Sequence, residues 1–398
     1  MKKFISLMLA VITLLSLASC QLSQIVPPAV TTGSNETTNG SESTAAPGTT
    51  SAPEIEADPT YDYMANDLTQ FVTLCEYKGI KITDKRIDVT DEMVDRYIGE
   101  MLIMKNEYTK RKTGVINEYD ALNMDFVGKY KDTGVAFQGG SAMNVNFFVT
   151  MNQDGIYGID TQSFTPGYNY IEGFADEMIG KDISAPFDIN VRFPDDYGSA
   201  DLAGKEAIFT ITVNYVCTPN ELTETNLALI TETKAVDEFK SATKTNLKLQ
   251  YDEIARNLMD VAVWDYLIEN CEFKAYPEEF VEAFFESEIA YVKYIATMYG
   301  YELEEILPMF GYSSVEDFKE KYVMYSIKQN IIFHQILKNE NLDFTDETYK
   351  TRLEKFAEEI GMKVEDVEKQ YAKDELLTNF RFEVVNEFVF SACELVKE

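Results

Sequence analysis

Histidine is almost missing from this chain of 398 residues; His334 is the single copy. Nucleophilic catalysis of the Ser–His or Cys–His kind needs an imidazole beside the nucleophile. A lone histidine set between Ile332 and Ile336 in a helical pattern argues against that class and reads as a structural or partly exposed residue. Cysteine is scarce too, with five copies, none at CxxC spacing and none in a metal-ligand pattern, so no metal centre is expected. Basic residues are outnumbered, 35 Lys and Arg against 68 Asp and Glu, which leaves a net charge of −33. Nucleic-acid binding needs a basic face for the phosphates, so that partner is excluded. The same charge opposes lying flat on an anionic bilayer, while keeping the molecule soluble and favouring basic clients. The acidic pairs Glu279/Glu282 and Asp195/Asp196 read as a solvated helix face and as turn chemistry.

What is present begins with a leader. Lys2 and Lys3 precede an apolar run from Phe4 to Leu17, too short for a lasting membrane span. The run ends Leu17-Ala18-Ser19-Cys20, which resembles the bacterial lipobox. That resemblance implies cleavage before Cys20 and lipidation of its thiol, an anchor to the lipid membrane. Residues 1–19 are then a signal peptide. Residues 20–58, rich in Ser, Thr, Gly and Pro and lacking Lys and Arg, form a disordered tether. A coil of that length spans roughly 30–40 Å. With Cys20 acylated, Cys75, Cys217, Cys271 and Cys393 remain, scattered over separate elements, and are expected to be buried and reduced rather than a disulfide framework.

The organising stretch is residues 117–218. Apolar residues alternate with polar ones in Leu122, Met124, Phe126, again in Ile189, Val191, Phe193, and again in Ala207, Phe209, Ile211, Val213. A period of two predicts half-buried strands. Gly139-Gly140, Pro166-Gly167 and Asp196-Tyr197-Gly198 supply turn chemistry. Ile171 to Ile179 reads as one short helix, with Ile171, Phe174 and Met178 on a shared face. Strands crossed by one short helix make a half-open antiparallel sheet with an aromatic cleft.

The motifs MDFVG (124–128), AFQGG (136–140), IEGF (171–174), FPDDY (193–197) and LAGKEAIF (202–209) occur here in one order. Together they resemble the FKBP-type prolyl isomerase domain, in the version found in trigger factor. The flanks agree with it. Residues 59–116 carry Thr90 with Asp91 and Glu92 as a helix start, followed by Val94, Tyr97, Ile98, Met101 and Leu102; Cys75 to Ile80 reads as strand and turn. This segment resembles the end of the trigger factor amino-terminal domain. The basic ribosome-docking loop of that domain has no counterpart, so no ribosome partner is expected. From residue 219 to 398 the period changes to 3.6. Helices are expected over 236–270, after Pro277 to Gly300, from a capping box at Ser313 and Glu316, from Thr345 to Gly361, and in one last helix from Val367 to Phe388. This part resembles the trigger factor carboxy-terminal chaperone domain. The fold class is therefore α+β: an FKBP-like half-open antiparallel sheet plus an all-α trigger factor/SurA-like helical domain.

The resemblance implies a membrane-tethered, extracytoplasmic peptidyl-prolyl cis–trans isomerase with chaperone action. It needs no cofactor, and its partners are unfolded or nascent exported polypeptides with X–Pro bonds. Carried over motif by motif, the pocket falls on Phe126, Phe137, Gln138, Tyr170, Ile171, Phe174, Tyr197 and Phe209. Phe174 is the implied floor, Phe126, Phe137 and Phe209 the walls, the Ile171 amide the holder of a ligand carbonyl, and Tyr197 a hydroxyl donor. Gln138 stands where the family usually has an acidic residue, and residues 151–168 hold an insertion at the implied rim. These two departures leave open a non-catalytic holdase in which the helical arms bind unfolded chains through aromatic and Met-rich surface. A solute- or wall-binding lipoprotein is a third class, without a ligand motif to support it. The clients and the oligomeric state are not legible.

Overall fold

A computed structural model describes residues 61–150, 165–166, 170–195, 197, 199 and 201–397. Cys20, the tether and most of the 151–168 insertion lie outside them. The chain is mixed helix and sheet. In chain order the strands are β1 (Val72–Thr73), β2 (Lys81–Thr83), β3 (Tyr108–Arg111), β4 (Ala121–Tyr130) and β5 (Ala136–Phe148). They continue with β6 (Thr165–Pro166), β7 (Phe187–Arg192), β8 (Glu206–Pro219), β9 (Glu272–Phe273) and β10 (Glu394–Val396). Two compact units form: residues 86–256, built on the sheet, and residues 61–85 with 257–398, built on helices. Residues 59–116, which the sequence groups together, thus contribute to both, and the division between units falls inside the helix Val236–Asn270.

In the sheet unit the strand order is β3-β8-β4-β5-β6, with β7 also paired to β8. β8 is long enough to serve two partners on one edge: β7 along Glu206–Ile211 and β3 along Val216–Pro219. Every pairing is antiparallel except β5–β6. Register shifts interrupt β4 against both neighbours, and such bulges increase the local twist of a sheet. Leu122, Met124, Phe147, Ile189, Ile211 and Val216 form the floor of one buried cluster.

Two expectations are corrected here. Gly139-Gly140 is not a turn but part of β5, where Gly139 takes the left-handed φ of 79°. Ile171 to Ile179 is not one helix. Gly173, at φ 81°, stops an α-helix from starting, so only a 3₁₀ turn at Asp176–Met178 forms. Phe174 and Met178 are nevertheless fully buried on the sheet. On the outer face, the Asn123 amide donates to Asn146 (2.8 Å), and Asn214 donates to Asn123 (2.9 Å) and Asp125 (3.1 Å). The helix Asp91–Met104 starts where the Thr90 hydroxyl accepts the Met93 amide at 3.2 Å. It packs Val94, Ile98 and Leu102 against Leu247 and Tyr251.

The helical unit follows its 3.6 period with three revisions. Pro277 precedes the helix Glu278–Tyr299 and Gly300, at φ 76°, ends it, as the sequence implies. The next cap is Ser314, not Ser313: its hydroxyl accepts the Asp317 amide, while Ser313 donates to the Asp317 carboxylate. The helix it opens passes through a π-helical turn, Lys319–Val323, into Met324–Asn339. Asp346–Glu359 begins at Thr345, but the last stretch is two helices, Val364–Gln370 and Lys373–Ser391, because Tyr371 and Ala372 take extended backbone. The short helix Leu303–Met309 is one that the periodicity misses.

The amino-terminal piece is threaded into this unit. β1 pairs antiparallel with β9, and β2 pairs parallel with β10. Cys75 to Ile80, read as strand and turn, is the irregular connection between β1 and β2. His334 is buried and stacks on Tyr63 at 4.6 Å, and its Nδ1 lies 2.9 Å from the Asn330 carbonyl oxygen. Burial lowers its pKa to about 4, which suits a neutral structural imidazole.

Candidate functional site

The sheet fixes where the rings go. In the β4–β8 register Gly128 faces Phe209, and Phe126 faces Ile211, so Phe126 and Phe209 lie on one face two residues apart. β5 brings Phe137 alongside. Two glycines make this possible. A Cβ on Gly128 would stand 2.5 Å from the Phe137 ring and 2.7 Å from Phe209; one on Gly140 would stand 2.3 Å from Phe137. Gly128 and Gly140 are therefore steric necessities for ring packing, whereas Gly139 is set by its left-handed φ.

The rings meet edge to face. Phe209 lies 5.2 Å from Phe174, 5.7 Å from Phe137 and 5.9 Å from Phe126. Phe126 lies 5.8 Å from Phe174 and 6.1 Å from Tyr170, and Tyr170 stacks on Phe174 at 4.7 Å. Five of the eight residues singled out in the sequence are thus one connected cluster, with Phe174 at its base. Ile171 packs half-buried at the cluster edge, and its carbonyl accepts the Phe174 amide at 3.1 Å, which fixes the turn. Tyr197 joins only through Phe193, at 4.7 Å, and is 38% exposed. Gln138 is on β5 with its side chain in solvent, apart from the rings.

Two members were not singled out. Phe147, fully buried, closes the base against Tyr170 (5.2 Å) and Phe174 (6.1 Å). Phe193 bridges Phe137 (5.7 Å) to Tyr197. Phe193 stood in an alternating run and in a quoted motif, so the signal was present; Phe147, in NVNFFV, carried only its own alternation.

The described residues that pack into the cluster are aliphatic and aromatic. Burial raises the Tyr170 pKa, so this phenol stays protonated, a donor without charge. Among the described residues no group of three His, Cys, Asp or Glu lies placed to hold a metal ion. What such a surface can do chemically is exclude water and prefer less polar states of whatever it touches.

A second apolar surface lies in the helical unit. Met298 and Tyr299 are 60% and 73% exposed at the end of Glu278–Tyr299. Beside them an open groove of about 580 Å³ is lined by Ala296, Tyr301, Leu303 and Val315 together with the charged Lys293, Glu302 and Glu304. Among the described residues no helix is long and apolar enough to cross a membrane.

Residues 235–393 match the family described as the bacterial trigger factor protein C-terminus. The chain is 28% identical over 302 residues to the trigger factor of Clostridioides difficile, covering 74% of this chain and 65% of that protein. It is 28% identical to that of Halothermothrix orenii, with 74% and 66% covered. It is 25% identical over 348 residues to that of Limosilactobacillus reuteri, with 83% and 73% covered. The chain thus spans just under two thirds of the length of the first two of these relatives. A solved trigger factor chaperone structure aligns with 81% of this chain and 73% of its own, at 16% identity and a TM-score of 0.33. Residues 235–393 thus match the trigger factor C-terminal family, and over much of its length the chain is similar to trigger factors.

Proposed function

We propose that this chain is an extracytoplasmic folding factor, held at the membrane by an acylated Cys20. In this reading it isomerises X–Pro bonds in exported, unfolded polypeptides and shelters them with its helical unit. The observation that carries the isomerase reading is the ring cluster of Phe126, Phe137, Phe174 and Phe209, into which two glycines let the rings close. Rotation about an X–Pro bond meets a barrier of about 18–20 kcal/mol because the planar amide is resonance-stabilised. The twisted state has lost that charge separation. A dry aromatic surface therefore binds it better than it binds the planar amide, and that difference lowers the barrier without an acid, base or nucleophile.

The roles are those that the resemblance implies. Phe174, fully buried and stacked under Tyr170, backs the prolyl site from below. The Ile171 amide, on a turn fixed by its own carbonyl bond to Phe174, is the donor for the peptide carbonyl. Tyr197, exposed at the far side, offers its hydroxyl to the chain that enters. Gln138 points to solvent, so its departure from the family's acidic residue leaves the ring surface itself unchanged.

A non-catalytic holdase is the second reading, favoured by the groove beside Met298, Tyr299 and Tyr301. Refolding of a proline-limited, reduced and carboxymethylated client separates the two. An isomerase shortens the slow phase at substoichiometric amounts; a holdase lowers aggregation only at stoichiometric amounts and leaves the slow phase alone. The tether is tested in cells: a Cys20→Ala variant is expected to lose incorporation of an alkynyl fatty acid and to leave the membrane fraction. Equal labelling of wild type and variant would reject acylation.

A further inference from the structure

Cys75 and Cys271 are 196 residues apart in sequence, yet their sulfurs lie 3.1 Å from each other. Both belong to the helical unit, which is assembled from two separate stretches of chain. Their approach is built into the backbone. Cys271 ends the helix Val236–Asn270, its amide donating to the Leu267 carbonyl at 3.0 Å, and enters β9 directly. Cys75 follows β1, whose register sets Val72 against Phe273 and Thr73 against Glu272. The Lys274 amide donates to the Phe71 carbonyl at 2.8 Å and extends that ladder by one rung. The Cys75 amide then donates to the Cys271 sulfur at 3.2 Å, which holds the two side chains on one side. The two thiols stand on separate elements and are free, as the sequence implies, yet their side chains meet. Cys217 is buried in the other unit, and the Cys393 sulfur donates to the Val389 carbonyl.

We propose that Cys75 and Cys271 are a built-in disulfide site, which on oxidation staples the amino-terminal strand to the end of the long helix. The sulfurs need to close by only about 1 Å to reach the bonded distance of roughly 2.05 Å. The oxidant is a disulfide, R–S–S–R. Cys75, the less buried of the two, attacks it as its thiolate, forms a mixed disulfide and releases RSH. Cys271 then gives up its proton and attacks the Cys75 sulfur, releasing the second RSH. Two electrons pass from the pair to the oxidant; two protein S–H bonds are exchanged for one S–S bond and two RSH. Burial and the neighbouring thiol push the Cys75 pKa up to about 12, so the thiolate is rare at neutral pH and the pair oxidises only where a disulfide oxidant is supplied.

The bond would close a loop containing the whole sheet unit and tie together the two stretches that make up the helical unit. A long closed loop removes much of the unfolded chain's freedom, so the staple protects this unit while apolar clients compete for its surfaces. The proposal rests on the geometry alone and holds whether or not the chain is exported.

The test uses the purified full-length chain, reduced, then equilibrated with oxidised glutathione at pH 8. Alkylation under denaturing conditions and peptide mass mapping are expected to show the Cys75 and Cys271 peptides linked and lighter by two hydrogens, with Cys217 and Cys393 alkylated. Cys75→Ser and Cys271→Ser each abolish the link, and Cys217→Ser leaves it intact. The oxidised form is expected to unfold at least about 5 °C above the reduced form. Free, alkylatable Cys75 and Cys271 after oxidation, a glutathione adduct that stays on Cys75, or pairing with Cys217 or Cys393 would overturn the site. An unchanged unfolding temperature in a linked protein would overturn the stapling role.

Discussion

The two units surround their main buried rings with different partners. In the sheet unit rings touch rings: Phe126, Phe137, Phe174 and Phe209 pack on each other. In the helical unit rings also pack on rings, as Trp264 does on Phe382, and several are tied to polar partners as well. Tyr63 stacks on His334, the Arg352 guanidinium lies over Phe380 at 4.7 Å, and the Trp264 indole donates to Asn386, whose amide donates to the buried Asp260. A polar partner fixes which remote segment belongs where, because a buried group left unpaired is costly. A ring-only cluster specifies no partner, and what it provides is a dry surface. The first arrangement suits assembly of a unit from separated stretches; the second suits a site.

The largest effects come from removing the anchor ring of each unit. Trp264 and Phe174 are both fully buried, and replacing either by alanine is expected to cost about 3–5 kcal/mol in denaturant unfolding. The comparison is sharpened by activity. Phe174→Ala abolishes prolyl isomerisation, whereas Trp264→Ala, measured where it is still folded, retains it. Equal loss of activity in both would dissolve the distinction.

Two buried groups, one in each unit, respond to acid with opposite sign. Unfolded His334 takes up a proton near pH 6.5, while the folded state refuses it until about pH 4. The helical unit therefore loses stability as pH falls through that window. Glu100, on the helix Asp91–Met104 of the sheet unit, is buried with its Oε2 unpartnered, and burial raises its pKa from 4.5 to about 7. The sheet unit loses stability as pH rises from 4.5 to 7, because the unfolded chain releases the proton first. Each change is on the order of 3 kcal/mol. Urea unfolding between pH 4 and 8 is expected to show His334→Gln flattening the acid side and Glu100→Gln the neutral side.

A smaller effect tests the glycines. Gly128→Ala would press its Cβ on Phe137 and Phe209, costing about 1–3 kcal/mol and spreading the rings, with a matching fall in isomerase rate. The smallest is Tyr197→Phe, which removes one hydroxyl from an exposed ring. It is expected to lower kcat/KM by about 2–10-fold and to leave unfolding unchanged.

Much of this was legible because local rules carry it. Period-two runs gave Leu122 to Phe126 and Ala207 to Val213 as strands, and Pro277, Thr345, Gly300 and Gly361 marked helix ends. The ring cluster was legible from motif order, since each motif contributes a ring or the glycine beside one. What failed depends on distance or on a single φ. Gly173 reads as an acceptable residue in a short helix until its left-handed φ is known. Gly139-Gly140 resembles a turn in sequence, whereas in the sheet Gly140 makes room for Phe137 and Gly139 takes a left-handed φ. The break at Tyr371 and Ala372 carries no Pro or Gly to announce it. Nothing in the residues around Cys75 or Cys271 names the other, because their meeting depends on two-residue strands paired across the whole sheet unit.

The central claim is that the sheet's ring cluster is a prolyl isomerase site. Its most direct test is two-dimensional NMR exchange between the cis and trans forms of a Phe–Pro peptide, with catalytic amounts of the full-length protein. Wild type is expected to produce exchange cross-peaks that the uncatalysed peptide lacks. Phe209→Leu, which keeps the volume apolar but breaks the ring contacts, is expected to remove them, and Trp264→Phe in the helical unit to keep them. Folded wild-type protein that leaves exchange at the uncatalysed rate, or a Phe209→Leu protein as active as wild type, would contradict the account.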